Sequence, residues 1–158
     1  MKAIGLAALV GVAALAGAAV AQNYGLRPTY GAINLRSGFQ PDPFRRELQS
    51  GGPINAAERS GGDCQGFIAD APDYRVNFTA GSGNLPLVFS VNARADTTLV
   101  INGPDGRWYC DDDGGNDGLN PSYVFRRPAS GQYDVWVGTY GGATLQPATL
   151  SISELYSD

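Results

Sequence analysis

The sequence predicts an all-β fold: an antiparallel β-sandwich or jelly roll of about seven to nine short strands, held by one disulfide. Composition is the first observation, since the chain of 158 residues contains 22 glycines and 10 prolines, and only 16% of its residues are charged. The second is a period-two alternation of apolar and polar residues from Cys64 onward, which is typical of half-buried strands. Segments with the period of a helix are no longer than one or two turns.

Residues 1–21 have the pattern of a signal peptide. Lys2 provides the positive start, residues 3–19 form an apolar run, and Ala19-Val20-Ala21 fits the small-residue pattern of a cleavage site. A retained membrane anchor is the alternative, because the run is just long enough to span a bilayer. The remaining residues carry ten arginines against 15 acidic residues, a net charge of −5. This charge argues against nucleic acid as a partner, and cleavage of the signal argues against stable membrane insertion.

The rest of the chain divides into an N-terminal extension, residues 22–60, and a β-sandwich, residues 61–158. Within the extension, residues 32–35 and 44–49 each have the pattern of a short edge strand. Turn residues delimit the further predicted strands, which are 74–79, 85–91, 96–102, 107–111, 123–125, 133–140 and 150–155. An eight-stranded outer-membrane barrel is the alternative, but its strands would need about 9–11 residues each, and most of these segments are shorter.

One connection has clear hairpin chemistry, the segment Asn102-Gly103-Pro104-Asp105-Gly106. Proline fixes φ at the first central position of a turn, and Gly106 can adopt the left-handed conformation that ends it. The sequence therefore predicts a hairpin between the strands on either side.

Cys64 and Cys110 are the two cysteines of the chain and predict a disulfide, because an exported protein with an even cysteine count normally pairs them. Closing a loop of this size stabilises a protein by about 4 kcal/mol in the chain-entropy model. A reactive thiol is the alternative, and it would need a neighbouring cation such as histidine or lysine to lower its pKa.

The loop from Asp111 to Asn120 is the main candidate site, because it concentrates four carboxylates and two amides among three glycines. Oxygen ligands suit calcium, and glycines allow the backbone to turn tightly around an ion. The predicted ligands are Asp111, Asp113, Asp117 and Asn120. The spacing differs from that of an EF-hand, so a solvated loop stabilised by Asx-turns is the alternative.

Aromatic residues form a second candidate site. Trp136 and Tyr140 lie on the same face of their predicted strand, opposite Val135 and Val137. If the valines face the core, the two aromatic rings face outward and could stack on a sugar or anchor a partner protein. The alternative is that both faces of the sheet are covered and the rings are buried.

Three segments resemble the bacterial pre-peptidase C-terminal domain, in particular its small stand-alone exported members. They are residues 64–74, 96–113 and 130–140, and the likeness extends over residues 64–155. Asp96, Pro104–Gly106 and Asp112–Gly114 match the Asp-Thr-x-Leu strand opening, Pro-Asp-Gly turn and Asp-Asp-Gly loop of that family. The resemblance implies a β-sandwich that accompanies secreted peptidases, aids their secretion, solubility or substrate contact, and in some members binds calcium.

The chain contains no histidine, and its one lysine is Lys2 in the predicted signal peptide. Ser-His-Asp, Cys-His and Ser-Lys mechanisms each need a residue that is missing after cleavage. We therefore expect a non-catalytic exported module, with Ca²⁺ as its cofactor, that binds or stabilises an envelope or extracellular protein or glycan in the periplasm or outside the cell. A calcium-dependent carbohydrate-binding module is the first alternative. A secreted peptidase that relies on carboxylates alone is the second.

Overall fold

Two stacked β-sheets form this protein in a computed structural model that describes residues 25–116 and 118–157. The predicted signal peptide, residues 1–21, lies outside the described residues. The elements in chain order are β1 (Ala32–Arg36), β2 (Phe44–Ser50), β3 (Ile54–Asn55), α1 (Ala56–Ser60), β4 (Phe67–Ile68), β5 (Tyr74–Thr79), β6 (Leu87–Ala93), β7 (Thr97–Asn102), β8 (Trp108–Asp111), β9 (Ser122–Phe125), β10 (Gly131–Thr139) and β11 (Gln146–Ser153). No helix in the described part of the chain has the length and hydropathy needed to cross a membrane.

The all-β sandwich prediction is confirmed by the two sheets. Sheet A has seven strands around β10, which pairs with β5, β4 and β7, while β1, β3 and β8 extend the sheet outward. Sheet B has four strands in the order β2-β11-β6-β9. The strand count exceeds the prediction because β3 and β4 are only two residues long, too short to show an alternation pattern.

The sheets are not entirely antiparallel as predicted, because β1 and β5 pair in parallel. Residues 37–73 separate these strands, which is long enough for the crossover that a parallel pair requires. Both predicted edge strands of the N-terminal extension are present, and they join different sheets: β1 lies at an edge of sheet A and β2 at an edge of sheet B.

The main core lies between the sheets. Alternate residues of each strand point into it, as the period-two pattern predicts. Sheet A contributes Tyr74, Val76, Leu99, Ile101, Tyr133, Val135 and Val137, and sheet B contributes Leu48, Leu87, Phe89, Val91, Leu150 and Ile152. Burial of each large apolar side chain contributes about 1.5–3 kcal/mol, so these residues are the principal source of stability.

A second, smaller core covers part of the outward face of sheet A. Its buried members are Ala56, Cys64, Ile68, Val100 and Trp136. The predicted disulfide is confirmed, and it joins the segment after α1 to β8 with the two Cα atoms 5.5 Å apart. Asn55 caps the N-terminus of helix α1, and its side chain accepts a hydrogen bond from the Ala57 N–H at 3.0 Å. The helix and the disulfide therefore hold a covering layer over β10.

The predicted hairpin forms between β7 and β8. The Gly103 N–H donates to the Arg107 carbonyl and the Gly106 N–H donates to the Gly103 carbonyl, both at 2.9 Å. Gly106 has a φ of 74°, which an L side chain rarely adopts. Asp105 supports the turn by accepting hydrogen bonds from the Arg107 N–H at 3.1 Å and the Tyr109 hydroxyl at 2.6 Å.

Candidate functional site

The acidic loop between β8 and β9 uses two of its four predicted calcium ligands to stabilise its own structure. The Asp111 Oδ2 atom accepts hydrogen bonds from the Gly114 N–H at 2.7 Å and the Ser122 N–H at 2.9 Å. Asn120 is buried, accepts from the Thr97 hydroxyl at 2.7 Å and donates to the carbonyl at the end of β6 at 2.9 Å. These bonds fix the loop against strands of both sheets.

The other acids near this loop lie close together without forming a ligand group. Asp113 is exposed, and Asp117 lies outside the described residues. Desolvation, followed by the charges of Asp113 and Asp112, raises the pKa of Asp96. No group of three or more histidine, cysteine or acidic side chains in the described part of the chain is placed to hold a metal ion. Calcium binding by this loop therefore stays a prediction.

The predicted exposed aromatic pair is not formed, because Trp136 is buried. Its side chain points away from the main core, but the second core covers it completely, and Trp108 packs on it with ring centroids 5.5 Å apart. Tyr140 is 49% exposed and borders a depression of about 370 Å³ together with Phe67. Trp136 therefore cannot stack on a ligand. Of the two predicted binding residues, Tyr140 alone faces solvent.

A groove of about 680 Å³ lies on sheet B. Its lining comes from three adjacent segments of sheet B, together with Tyr30. They are residues 47–49 of β2, residues 146–149 of β11, and residues 92–95, which include the end of β6. The strand register places Glu47 beside Thr149, and Thr149 beside Asn92. Leu48 and Ala148 point into the core, so the side chains on either side of them point outward. The groove therefore lies on the outward face of sheet B, and among the described residues no strand of sheet A contributes to its lining.

Five outward-pointing polar side chains of the groove have no hydrogen-bond or ion-pair partner within the described residues. They are Glu47, Gln49, Asn92, Arg94 and Thr149. The first four are exposed and Thr149 is half-buried. This distinguishes the groove from the acidic loop, whose Asp111 and Asn120 are engaged in internal hydrogen bonds.

The adjacent part of the same sheet face is closed. Ser90 and Ser151 are neighbours across β6 and β11, point away from the core and are each 1% exposed. The chain turns back after β11 at Ser153, whose Oγ atom accepts two backbone N–H groups from the following residues at 3.0 and 3.2 Å. It then reaches the acidic loop, where the Ser157 carbonyl accepts from the Asn116 amide at 3.1 Å. The groove is thus an open part of a face that is otherwise partly covered.

Two buried carboxylates stabilise sheet A and do not line the groove. The Asp73 Oδ2 atom accepts a hydrogen bond from the Val137 N–H at 2.7 Å. This contact fills the gap along one side of β10 between the part that pairs with β5 and the part that pairs with β4. Burial raises the pKa of Asp73 to about 7. Asp134 is the cross-strand neighbour of Arg75, and its Oδ1 atom lies 2.6 Å from the Arg75 Nε atom.

The groove was not among the candidate sites predicted from the sequence. The one local signal is the alternation Glu47-Leu48-Gln49, which places two polar side chains on the outward face of a predicted edge strand. The sequence pattern does not indicate that residues 92–94 and 147–149, which are distant in the chain, lie beside them.

No protein-family model matches the chain, and no curated protein matches it. Among solved structures, the chain is similar to Aeromonas hydrophila PliG, described as a periplasmic lysozyme inhibitor of g-type lysozyme. The TM-score is 0.35 and the sequence identity 11%, over 77% of this chain and 96% of PliG. The resemblance to the pre-peptidase C-terminal domain stays a prediction.

Proposed function

We propose that this protein is a non-catalytic exported module that binds an envelope or extracellular molecule through the groove on sheet B. The observation that carries the proposal is the set of five outward polar side chains that the fold does not use. Four of them lie on paired strands of sheet B and Arg94 directly follows β6, so the backbone that carries them is ordered before a ligand arrives. Binding to a preorganised site costs less conformational entropy than binding to a mobile one.

The composition of the groove supports binding rather than catalysis. Glu47 is the one carboxylate among the described residues that line it. Hydrolysis by carboxylates requires two acids with separate roles, and the chain has no histidine that could replace the second acid. The guanidinium group of Arg94 offers hydrogen-bond donors but no acceptor and cannot act as a general base.

Two further features support export to the periplasm or the cell exterior. The first is the signal-peptide pattern of residues 1–21, with its small-residue cleavage site. The second is the Cys64–Cys110 disulfide, since disulfides persist in oxidising compartments and are rare in the cytosol.

Affinity capture with paired variants tests the proposal. The groove variant Asn92→Ala/Arg94→Ala removes an amide and a charge from sheet B, and the control Arg36→Ala/Thr79→Ala alters two exposed register partners of sheet A. Wild type and control, immobilised after signal removal, should retain the same material from periplasmic and extracellular fractions, and the groove variant should lose it. Equal retention by the groove variant, with an unchanged melting temperature, contradicts the proposal.

A further inference from the structure

The polar chemistry of the groove on sheet B points to a particular class of ligand. We infer that the groove binds a neutral saccharide chain, an inference that rests on the proposed function and deepens it. Shape, hydrogen-bonding groups and charge each support this class over a peptide, a polyanion or an apolar ligand.

The shape of the groove suits an extended chain lying across the strands. Three strands at their usual spacing of about 4.8 Å give a floor about 10 Å long, and rows two residues apart are separated by about 7 Å. The volume of about 680 Å³ lies within the usual range for ligand sites. An extended peptide typically binds by adding a strand to a sheet edge. In the groove floor, β11 uses its backbone groups in ladders on both sides, and at the free edge of β2 the Gln49 N–H already donates to the Tyr30 hydroxyl.

The hydrogen-bonding groups of the groove match those of sugar hydroxyls. Each hydroxyl both donates and accepts, and it is best met by side chains that do both. Gln49 and Asn92 each present an amide with a donor and an acceptor end, and the Thr149 hydroxyl has both functions on one atom. Glu47 adds an acceptor and Arg94 a fork of donors, all without partners within the described residues.

The charge and the apolar surface of the groove exclude the competing classes. Glu47 and Arg94 are the two charged side chains among the described lining residues, and together they give none of the positive excess that nucleic acids and other polyanions require. Large apolar side chains that would bind a lipid or an apolar helix are also missing from the outward-pointing lining in the described residues. Tyr30 lies at the β2 edge, where it packs against the main core and its hydroxyl accepts from the Gln49 N–H at 3.1 Å.

An array of neutral and acidic oligosaccharides, followed by calorimetric titration with the strongest neutral one, tests this inference. Wild type and the Arg36→Ala/Thr79→Ala control should bind neutral oligosaccharides equally. The Asn92→Ala/Arg94→Ala variant should bind about tenfold more weakly, since the loss of two hydrogen bonds of ordinary strength is worth about that factor. Binding should persist in EDTA, because none of the described residues of the acidic loop lines the groove. Amide chemical-shift changes in the wild type should cluster at residues 47–49, 92–94 and 148–149, and this measurement does not depend on any variant folding.

Three outcomes overturn the inference and separate it from the proposed function. Failure of the wild type to bind any neutral oligosaccharide overturns it, as do chemical-shift changes centred on Tyr140 or on the acidic loop. Capture of a protein partner from enzymatically deglycosylated extract, lost in the groove variant, overturns the saccharide class but supports the proposed function. Retention of the same material by the groove variant and the wild type overturns both.

Discussion

The buried carboxyl of Asp73 makes the stability of the fold depend on pH, and Asp73→Asn is expected to remove that dependence. Asp73 is 2% exposed, and besides its bond to Val137 its backbone N–H donates to the Val135 carbonyl at 2.8 Å. Asparagine keeps an oxygen that can accept from the Val137 N–H but carries no charge. The substitution therefore preserves the contact while removing ionisation.

The size of the effect follows from the pKa of Asp73. Desolvation raises it from 3.8 to about 7, against the opposing hydrogen bond from Val137. The folded state thus holds its proton more tightly than the unfolded state, so the stabilisation is full below about pH 4, declines as pH rises and is lost above about pH 7. At 1.36 kcal/mol for each tenfold change in proton affinity, the whole effect is about 4 kcal/mol, of which about 3 kcal/mol falls between pH 4.5 and pH 8.

Urea unfolding of wild type, Asp73→Asn and the exposed control Asp63→Asn at pH 4.5 and pH 8 measures this effect. The effect of pH on the rest of the protein is common to all three proteins and cancels in the comparison. The stability of Asp73→Asn relative to wild type should rise by about 3 kcal/mol from pH 4.5 to pH 8. The relative stability of Asp63→Asn should stay constant. If Asp73→Asn and wild type have parallel pH profiles, the reasoning about the buried carboxyl is refuted.

Three further predictions concern other parts of the structure. Asp134→Ala leaves Arg75 without its cross-strand carboxylate and should lower the free energy of unfolding by about 3 kcal/mol, measured by urea unfolding; a loss under 1 kcal/mol contradicts a buried pair. Gly52→Ala places a Cβ against the backbone of Ile68 and should lower the melting temperature sharply; an unchanged value contradicts this close approach. Calcium should raise the melting temperature of the wild type and less so that of Asp113→Asn, while a titration with neither heat nor thermal shift rules out the acidic-loop site.

The strands and the hairpin were predictable because their determinants are local. Apolar residues two positions apart, such as Val135 and Val137, predict a strand with one buried face, whichever strands become its neighbours. The Pro104-Asp105-Gly106 turn carries its own backbone preferences wherever it lies in the fold. The disulfide followed from cysteine count and predicted export alone.

The covering layer on sheet A and the groove on sheet B were not predictable, because both depend on long-range pairing. Trp136 has the alternation of an outward residue, and its burial comes from α1 and Cys64, which lie about 70 residues earlier and show no strand pattern. The composition of the acidic loop does not distinguish metal ligands from side chains that accept hydrogen bonds from the backbone. In the structure, Asp111 accepts from two backbone N–H groups. The groove depends on which segments become neighbours in sheet B.

Site-specific photo-crosslinking tests the central claim, binding at the groove, most directly. A photoreactive amino acid is placed at position 92 in the groove or at position 79, an exposed strand position on sheet A, and each protein is irradiated in native periplasmic and extracellular fractions. The groove account predicts a discrete adduct from position 92 that is absent from position 79 and is competed away by unlabelled wild type. An adduct from position 79 alone, or no difference between the two positions, contradicts it.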